Sequence, residues 1–283
     1  MRSATVRHLS FTLFVVLAAA PGCGGGSKKA PPAAVSKDRQ ISLSVVAIEA
    51  SIGGDQVRSS GTVIDGQKGL VLTSAHSVWG ATALKVTTGI GVLHGRVVAR
   101  APCDDLALLE TQPRLPGLAT LPAGAAAPRP STLMTSVGRR GAADYGSASL
   151  LQIPVRATSG TLTSLPGLRL PTLPHAVRLD SDLVAEATGG PLVDRRGRPV
   201  AMAVVTGGSG GAVALPWDTV RQRIAELRPG PQRVFVGWRS QYRCVARLHA
   251  FTKAAHPGYH ARDAKLIKPI TISRLPGTEE LDR

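Results

Sequence analysis

Three short stretches of this chain carry side chains that could together perform acyl transfer. Leu72-Thr73-Ser74-Ala75-His76 ends in an imidazole, and Asp105-Leu106-Ala107-Leu108-Leu109 opens on a carboxylate. Glu186-Ala187-Thr188-Gly189-Gly190-Pro191-Leu192 holds a hydroxyl directly before two glycines. The chemistry needs a hydroxyl nucleophile, a base to take its proton, an acid to fix the tautomer of that base, and N–H donors for the oxyanion. His76 fits the base and Asp105 the acid, with Asp104 as the adjacent alternative. Thr188 would supply the hydroxyl. Its branched β-carbon restricts χ1, and threonine nucleophiles typically use an N-terminal amine as their base. No such amine exists in mid-chain.

Positioning these groups falls to strands. Between Ile41 and about Leu227 the pattern is mostly short apolar runs broken by turn residues. Ile41–Ser51, Gln56–Ile64, Gly69–Thr73, Ala83–Gly89, Val92–Ala101 and Asp105–Thr111 form one set, with Asp65-Gly66 as a hairpin turn. Pro122 to Ser131 reads as a linker. Leu133–Val137, Ala148–Thr158, Ala176–Asp180, Pro191–Asp194, Pro199–Val205 and Gly211–Leu215 form a second set, with a turn at Arg196-Gly197. A helix is expected from Trp217 to Leu227. Trp238, Tyr242, Val245 and Leu248 recur at helical spacing, predicting a further amphipathic helix to about Ala255, packed on the strands. His256-Pro257-Gly258-Tyr259 reads as a turn.

The three stretches resemble the trypsin-like serine peptidases, most closely the HtrA-like bacterial envelope branch. That resemblance implies an all-β fold of two barrels (trypsin-like, or chymotrypsin-like) with the site in the cleft between them. Here a short C-terminal helical extension follows, because 55 residues after 228 are too few for the PDZ domain that such proteins usually carry. His76 and Asp105 match the family pattern, but the nucleophile position holds Thr188 where the family has serine. Glu186 stands where the family has glycine, at a position whose N–H would join that of Thr188 as the oxyanion-hole donors. A side chain there opposes a backbone conformation that glycine adopts easily, and its carboxylate opposes developing negative charge. Loss of one donor costs about 10²–10³ in rate, so the two departures imply weak or lost proteolysis. Asp182, six residues before Thr188, corresponds to the base of the specificity pocket in relatives that cleave after Lys or Arg; a surface aspartate is the alternative.

The N-terminus reads as a targeting segment. Arg2 and Arg7 precede an apolar run from Leu9 to Ala20, too short to span a bilayer and suited to a signal peptide. Ala20-Pro21-Gly22-Cys23 resembles a lipobox, which implies cleavage after residue 22, lipidation of Cys23 and a bacterial envelope location. The chain thus divides into a lipoprotein-type signal peptide at 1–22, a flexible tether at 23–39, a peptidase-like domain at 40–228 and a basic extension at 229–283. In an oxidising compartment Cys103 and Cys244 would form a disulfide or remain as two buried thiols.

The formal charge of +16 favours anionic neighbours, including envelope polymers. No nucleic-acid-binding motif accompanies it. His249, His256 and His260 lack companion ligands for a metal, and no cofactor is implied. Three functions follow as expectations. The first is an envelope-tethered, proteolytically weak protein that binds peptide or unfolded protein, held at the membrane by its lipid. The second is an active endopeptidase using Thr188, His76 and Asp105. The third is a partner-binding protein acting through residues 229–283.

Overall fold

A computed structural model describes residues 36–89, 91–114, 117–121, 124, 126–140, 149–161, 164–165, 170–171, 176–181, 183–205, 212–227 and 238–260. The described residues fall in one compact unit. Six strands form its first barrel: β1 (Val45–Ile52), β2 (Asp55–Asp65), β3 (Leu70–Ser74), β4 (Ala83–Thr88), β5 (Gly91–Ala101) and β6 (Leu106–Gln112). They close in the order β1-β2-β3-β6-β5-β4. After β7 (Leu133–Arg140) and β8 (Ser149–Thr161) come the short pair β9 (Ser164–Leu165) and β10 (Leu170–Pro171), then β11 (Val177–Leu179), β12 (Pro191–Val193), β13 (Pro199–Val205) and β14 (Ala212–Pro216). The second barrel closes in the order β11-β14-β13-β12-β7-β8. This is the two-barrel architecture that the resemblance implied.

The barrels are filled differently. Ile48, Ile52, Leu72, Leu106, Leu108 and Trp79 lie fully buried in the first. Alanine dominates the second, with Ala157, Ala187, Ala201, Ala203, Ala212 and Ala214 around Met134, Val155 and Leu192. Such small side chains let the strands of that barrel close tightly, which is how a chain with 4% aromatic residues still packs a core.

Among the described residues three α-helices accompany the barrels: α1 (Lys37–Ser44), α2 (Trp217–Glu226) and α3 (Trp238–Ala255). The last two match the sequence expectation. The strand expected from Ile41 instead begins at Val45, and the preceding residues form α1, starting within the stretch read as tether. The cause is local: the Ser36 side chain accepts from the Arg39 N–H and Asp38 sits in the first turn, a favourable helix start.

The described part of the extension, residues 238–260, belongs to the fold. Cys103 and Cys244 form a disulfide, tying α3 to the turn at Pro102–Asp104 and resolving the alternative left open by the sequence. Cys244 and Leu248 are fully buried. Tyr259, also buried, lies where Gly53 and Gly80 carry no side chain. A Cβ on either would stand 2.3 Å or less from Tyr259 atoms, and both glycines have positive φ. His256 closes the contact by pairing with Asp55 at 2.9 Å. Among the described residues no helix is long and apolar enough to cross a membrane.

Candidate active site

His76 follows directly on β3 and opens a short 3-10 turn, so a barrel strand fixes its backbone. Asp105 precedes β6, the neighbour of β3, which brings the two residues together across the sheet. Asp105 is fully buried and left-handed, with φ of 52°, a conformation that aspartate tolerates better than most residues. One carboxylate oxygen accepts from the His76 backbone N–H at 2.8 Å, and the other bonds the imidazole Nδ1 at 2.7 Å. The Asp105 carbonyl also accepts from the Ala75 N–H at 2.9 Å. Ring and backbone of the histidine are thus held by the same carboxylate. Asp104 points elsewhere: it pairs with Arg223 on α2 at 3.2 Å, and burial pushes its carboxyl pKa up against the opposing pull of that guanidinium.

Thr188 ends the 3-10 turn Ala185–Ala187 that leads into β12. Its hydroxyl donates to the Val205 carbonyl at 3.0 Å and accepts from the Val205 N–H at 2.8 Å. The one hydroxyl proton is therefore directed at the end of β13. Among the described residues the His76 ring meets Asp105 and Phe251, and Thr188 is not a hydrogen-bond partner. The structure brings base and acid together and turns the third member aside.

One of the two expected oxyanion donors, the Thr188 N–H, is likewise engaged. The Thr188 N–H donates to the Ala185 carbonyl at 3.0 Å, and the Ala187 N–H to Val184 at 2.9 Å. Closed in this way, the turn uses internally the amide that an oxyanion would need. Glu186 sits inside it, its carboxylate 3.6 Å from Arg140 and its carbonyl accepting from the Ser60 hydroxyl.

Ser60 is a residue the sequence did not mark. From β2 of the first barrel its hydroxyl bonds Glu186 and receives the Arg139 N–H at 2.8 Å, while its own N–H donates to the Thr188 carbonyl at 2.8 Å. Gly189, with φ of +81°, lies so close that a Cβ would stand 2.3 Å from the Ser60 carbonyl. The elbow thus grips the first barrel through backbone and one hydroxyl, which requires the glycine.

Phe251 of α3 was also unmarked. Its ring stands edge-on to His76, with centroids 5.8 Å apart, and the His76 side chain is 9% exposed. Nearby, His249 accepts from the Trp79 indole at 3.4 Å and bonds the Tyr259 hydroxyl, while Arg100 lies over the Trp79 ring. His249 and His256 are therefore structural contacts. Cys23, Asp182 and Gly207–Gly211 lie outside the described residues.

Two closed six-stranded barrels, with a His–Asp pair on one and a glycine elbow on the other, define the trypsin-like peptidase class. The chain belongs to the trypsin-like peptidase domain family, which matches residues 59–202. Its fold is similar to that of the Rv3671c protease from M. tuberculosis in its active form, at 21% identity and a TM-score of 0.56, covering 70% of this chain and 86% of that one. The inactive form of that protease gives 21% and 0.52, over 66% and 90%. Deg5 gives 23% and 0.52, over 66% and 89%. At these identities the likeness is one of fold. No curated protein sequence matches the chain.

Proposed function

We propose that this protein is an envelope-tethered member of the trypsin-like peptidase family that binds extended peptide in the cleft between its barrels without cutting it at a significant rate. One observation carries the reading: Thr188 has both its hydroxyl proton and its amide proton committed, to Val205 and Ala185. Attack on a carbonyl requires the first proton to face His76, and stabilisation of the resulting oxyanion requires the second to be open. Activity would thus need a rotamer change at Thr188 and a peptide rotation within Ala185–Ala187, with a glutamate where the family has glycine. Phe251 packs edge-to-face against the His76 ring that such a rearrangement must reach. A bound peptide would lie extended and be held through backbone pairing, as such clefts do. The tether and the lipid on Cys23 would confine this binding to a membrane surface.

The second reading is an active endopeptidase. The His76–Asp105 pair favours it, because two hydrogen bonds from one buried carboxylate hold the imidazole as a general base requires. The inner face of α3 is used in packing, so a partner-binding role for residues 229–283 would fall to their remaining surface.

Hydrolysis and binding of unfolded casein, measured side by side, separate these readings. The wild type is expected to bind and not cleave, as is Thr188→Ala. Thr188→Ser combined with Glu186→Gly should gain measurable hydrolysis, and Thr188→Ser alone much less. Cleavage by the wild type that disappears in Thr188→Ala would establish the endopeptidase and overturn the proposal.

A further inference from the structure

Where β12 leads into the turn before β13, three arginines converge on one open pocket of about 490 Å³ that is lined by Ser131, Leu133, Arg156, Asp194, Arg195 and Arg196. The register explains the convergence. Leu133 at the start of β7 pairs directly with Arg156 on β8, while Val193 at the end of β12 pairs with Thr135 and leads into the Asp194–Gly197 turn. The single carboxylate in the lining is neutralised: Asp194 is bound by Arg198 at 2.8–2.9 Å and receives the Arg196 and Arg198 backbone N–H groups. Among the described residues Arg156, Arg195 and Arg196 have no ion-pair partner, and all three are exposed. Three uncompensated guanidiniums remain around one concavity. Planar guanidinium groups match phosphate oxygens in pairs.

Two neighbours narrow the ligand. Leu133 is 44% exposed in the midst of these charges, one of few large apolar side chains left open to solvent among the described residues. Lys37, the first residue of α1, lays its stem over Gly197 and donates to the Arg195 carbonyl at 3.3 Å. The chain therefore enters the folded unit beside this pocket, adding a fourth cation. A tether of the length read from the sequence has a typical span of roughly 20 Å, so a lipid at Cys23 would keep the pocket near a bilayer. An apolar side chain beside clustered cations fits a phospholipid headgroup with its acyl region close by better than a free polyanion.

We infer that Arg156, Arg195, Arg196 and Lys37, with Leu133 at their centre, form a face that binds the phosphate of anionic phospholipid headgroups and seats the second barrel on the membrane. The orientation rests on the tethering proposed above; the binding chemistry does not.

The test uses the chain from residue 23 with Cys23→Ser, which lacks any acyl group, so its outcome is independent of lipidation. Co-sedimentation is measured with vesicles of phosphatidylcholine alone and with 30% phosphatidylglycerol. Binding is expected for the anionic vesicles only, and combined Arg156→Gln, Arg195→Gln and Arg196→Gln should weaken it about a hundredfold. The same charge removed on the helices, as Arg221→Gln, Arg243→Gln and Lys253→Gln, should weaken it less than threefold, with thermal melts confirming that both variants fold. Inorganic phosphate at millimolar concentration should fail to displace the vesicles; displacement would identify a free-phosphate site and overturn the membrane assignment. Equal losses in the two triple variants, or none in the first, would overturn the site.

Discussion

Phe251, near the C-terminal end of α3, presents its ring at 82° to the imidazole of His76, although 175 residues of sequence separate the two. The histidine that a trypsin-like cleft leaves open to its substrate is here shared with the extension. Phe251→Ala should therefore increase the rate at which diethylpyrocarbonate modifies His76 several-fold, read by mass spectrometry of the peptide containing it. Half-buried as Phe251 is, the substitution should cost about 1–2 kcal/mol of stability. An unchanged modification rate would mean that α3 leaves the imidazole accessible.

Thr188 serves as a structural tie between the elbow and β13. In Thr188→Val the shape is kept, but the Val205 N–H and carbonyl both lose their partner. Leaving buried backbone groups unsatisfied should cost about 1–3 kcal/mol, whereas Thr188→Ser keeps the bonds and should stay within about 1 kcal/mol of the wild type. Urea melts of the two variants decide the point: equal stability would show that the hydroxyl is not held by Val205.

Ser60 offers a test of how the barrels are joined. Its hydroxyl links the Glu186 carbonyl and the Arg139 N–H, so Ser60→Ala should lower stability by about 1–3 kcal/mol. Amide exchange should quicken at Arg139 while β5, three strands from β2 through β1 and β4, keeps its protection.

The His249 cluster predicts a pH dependence. Burial, assisted by Arg100, lowers the pKa of His249 below the ordinary histidine value of 6.5. The folded state then binds fewer protons than the unfolded state between those two values, so stability is full above pH 6.5 and falls as pH drops through that window. Asp104 works the other way in the carboxylate range: its raised pKa means stability lost as pH rises from about 4. The melting temperature should decline from pH 7 towards pH 5, and His249→Phe should flatten that slope while lowering the plateau. A slope that survives the substitution would assign the effect to another group.

Much of the fold was legible because hydrophobic alternation and turn chemistry are local. Asp65-Gly66 marked the β2–β3 turn and Arg196-Gly197 the β12–β13 turn, and both lie where expected. The approach of His76 to Asp105 followed from two strand-end motifs whose spacing the family pattern supplied. Ile41 misled because Ile41 and Leu43 alternate as a strand would, while the signal that won, Ser36 capping a turn with Asp38, is a helix start. Nothing local could show that Phe251 meets His76. Val245 and Leu248 of that helical stripe lie on the packed face of α3, but the stripe does not say which barrel residue that face covers. Ser60 and Val205 were silent for a similar reason: each acts from an ordinary strand position through backbone contacts made more than a dozen residues away.

The bridge between Cys103 and Cys244 closes a covalent ring that contains every strand of the second barrel, with Asp105 just inside it and His76 outside. A single break of the main chain anywhere within that ring leaves both ends attached to the same sulfur link. A protease that nicks a loop of the second barrel would thus release no fragment, and the damaged protein would migrate as one species until reductant is added. Clearance of this molecule from an oxidising compartment would require either cuts on both sides of a strand or prior opening of the bridge.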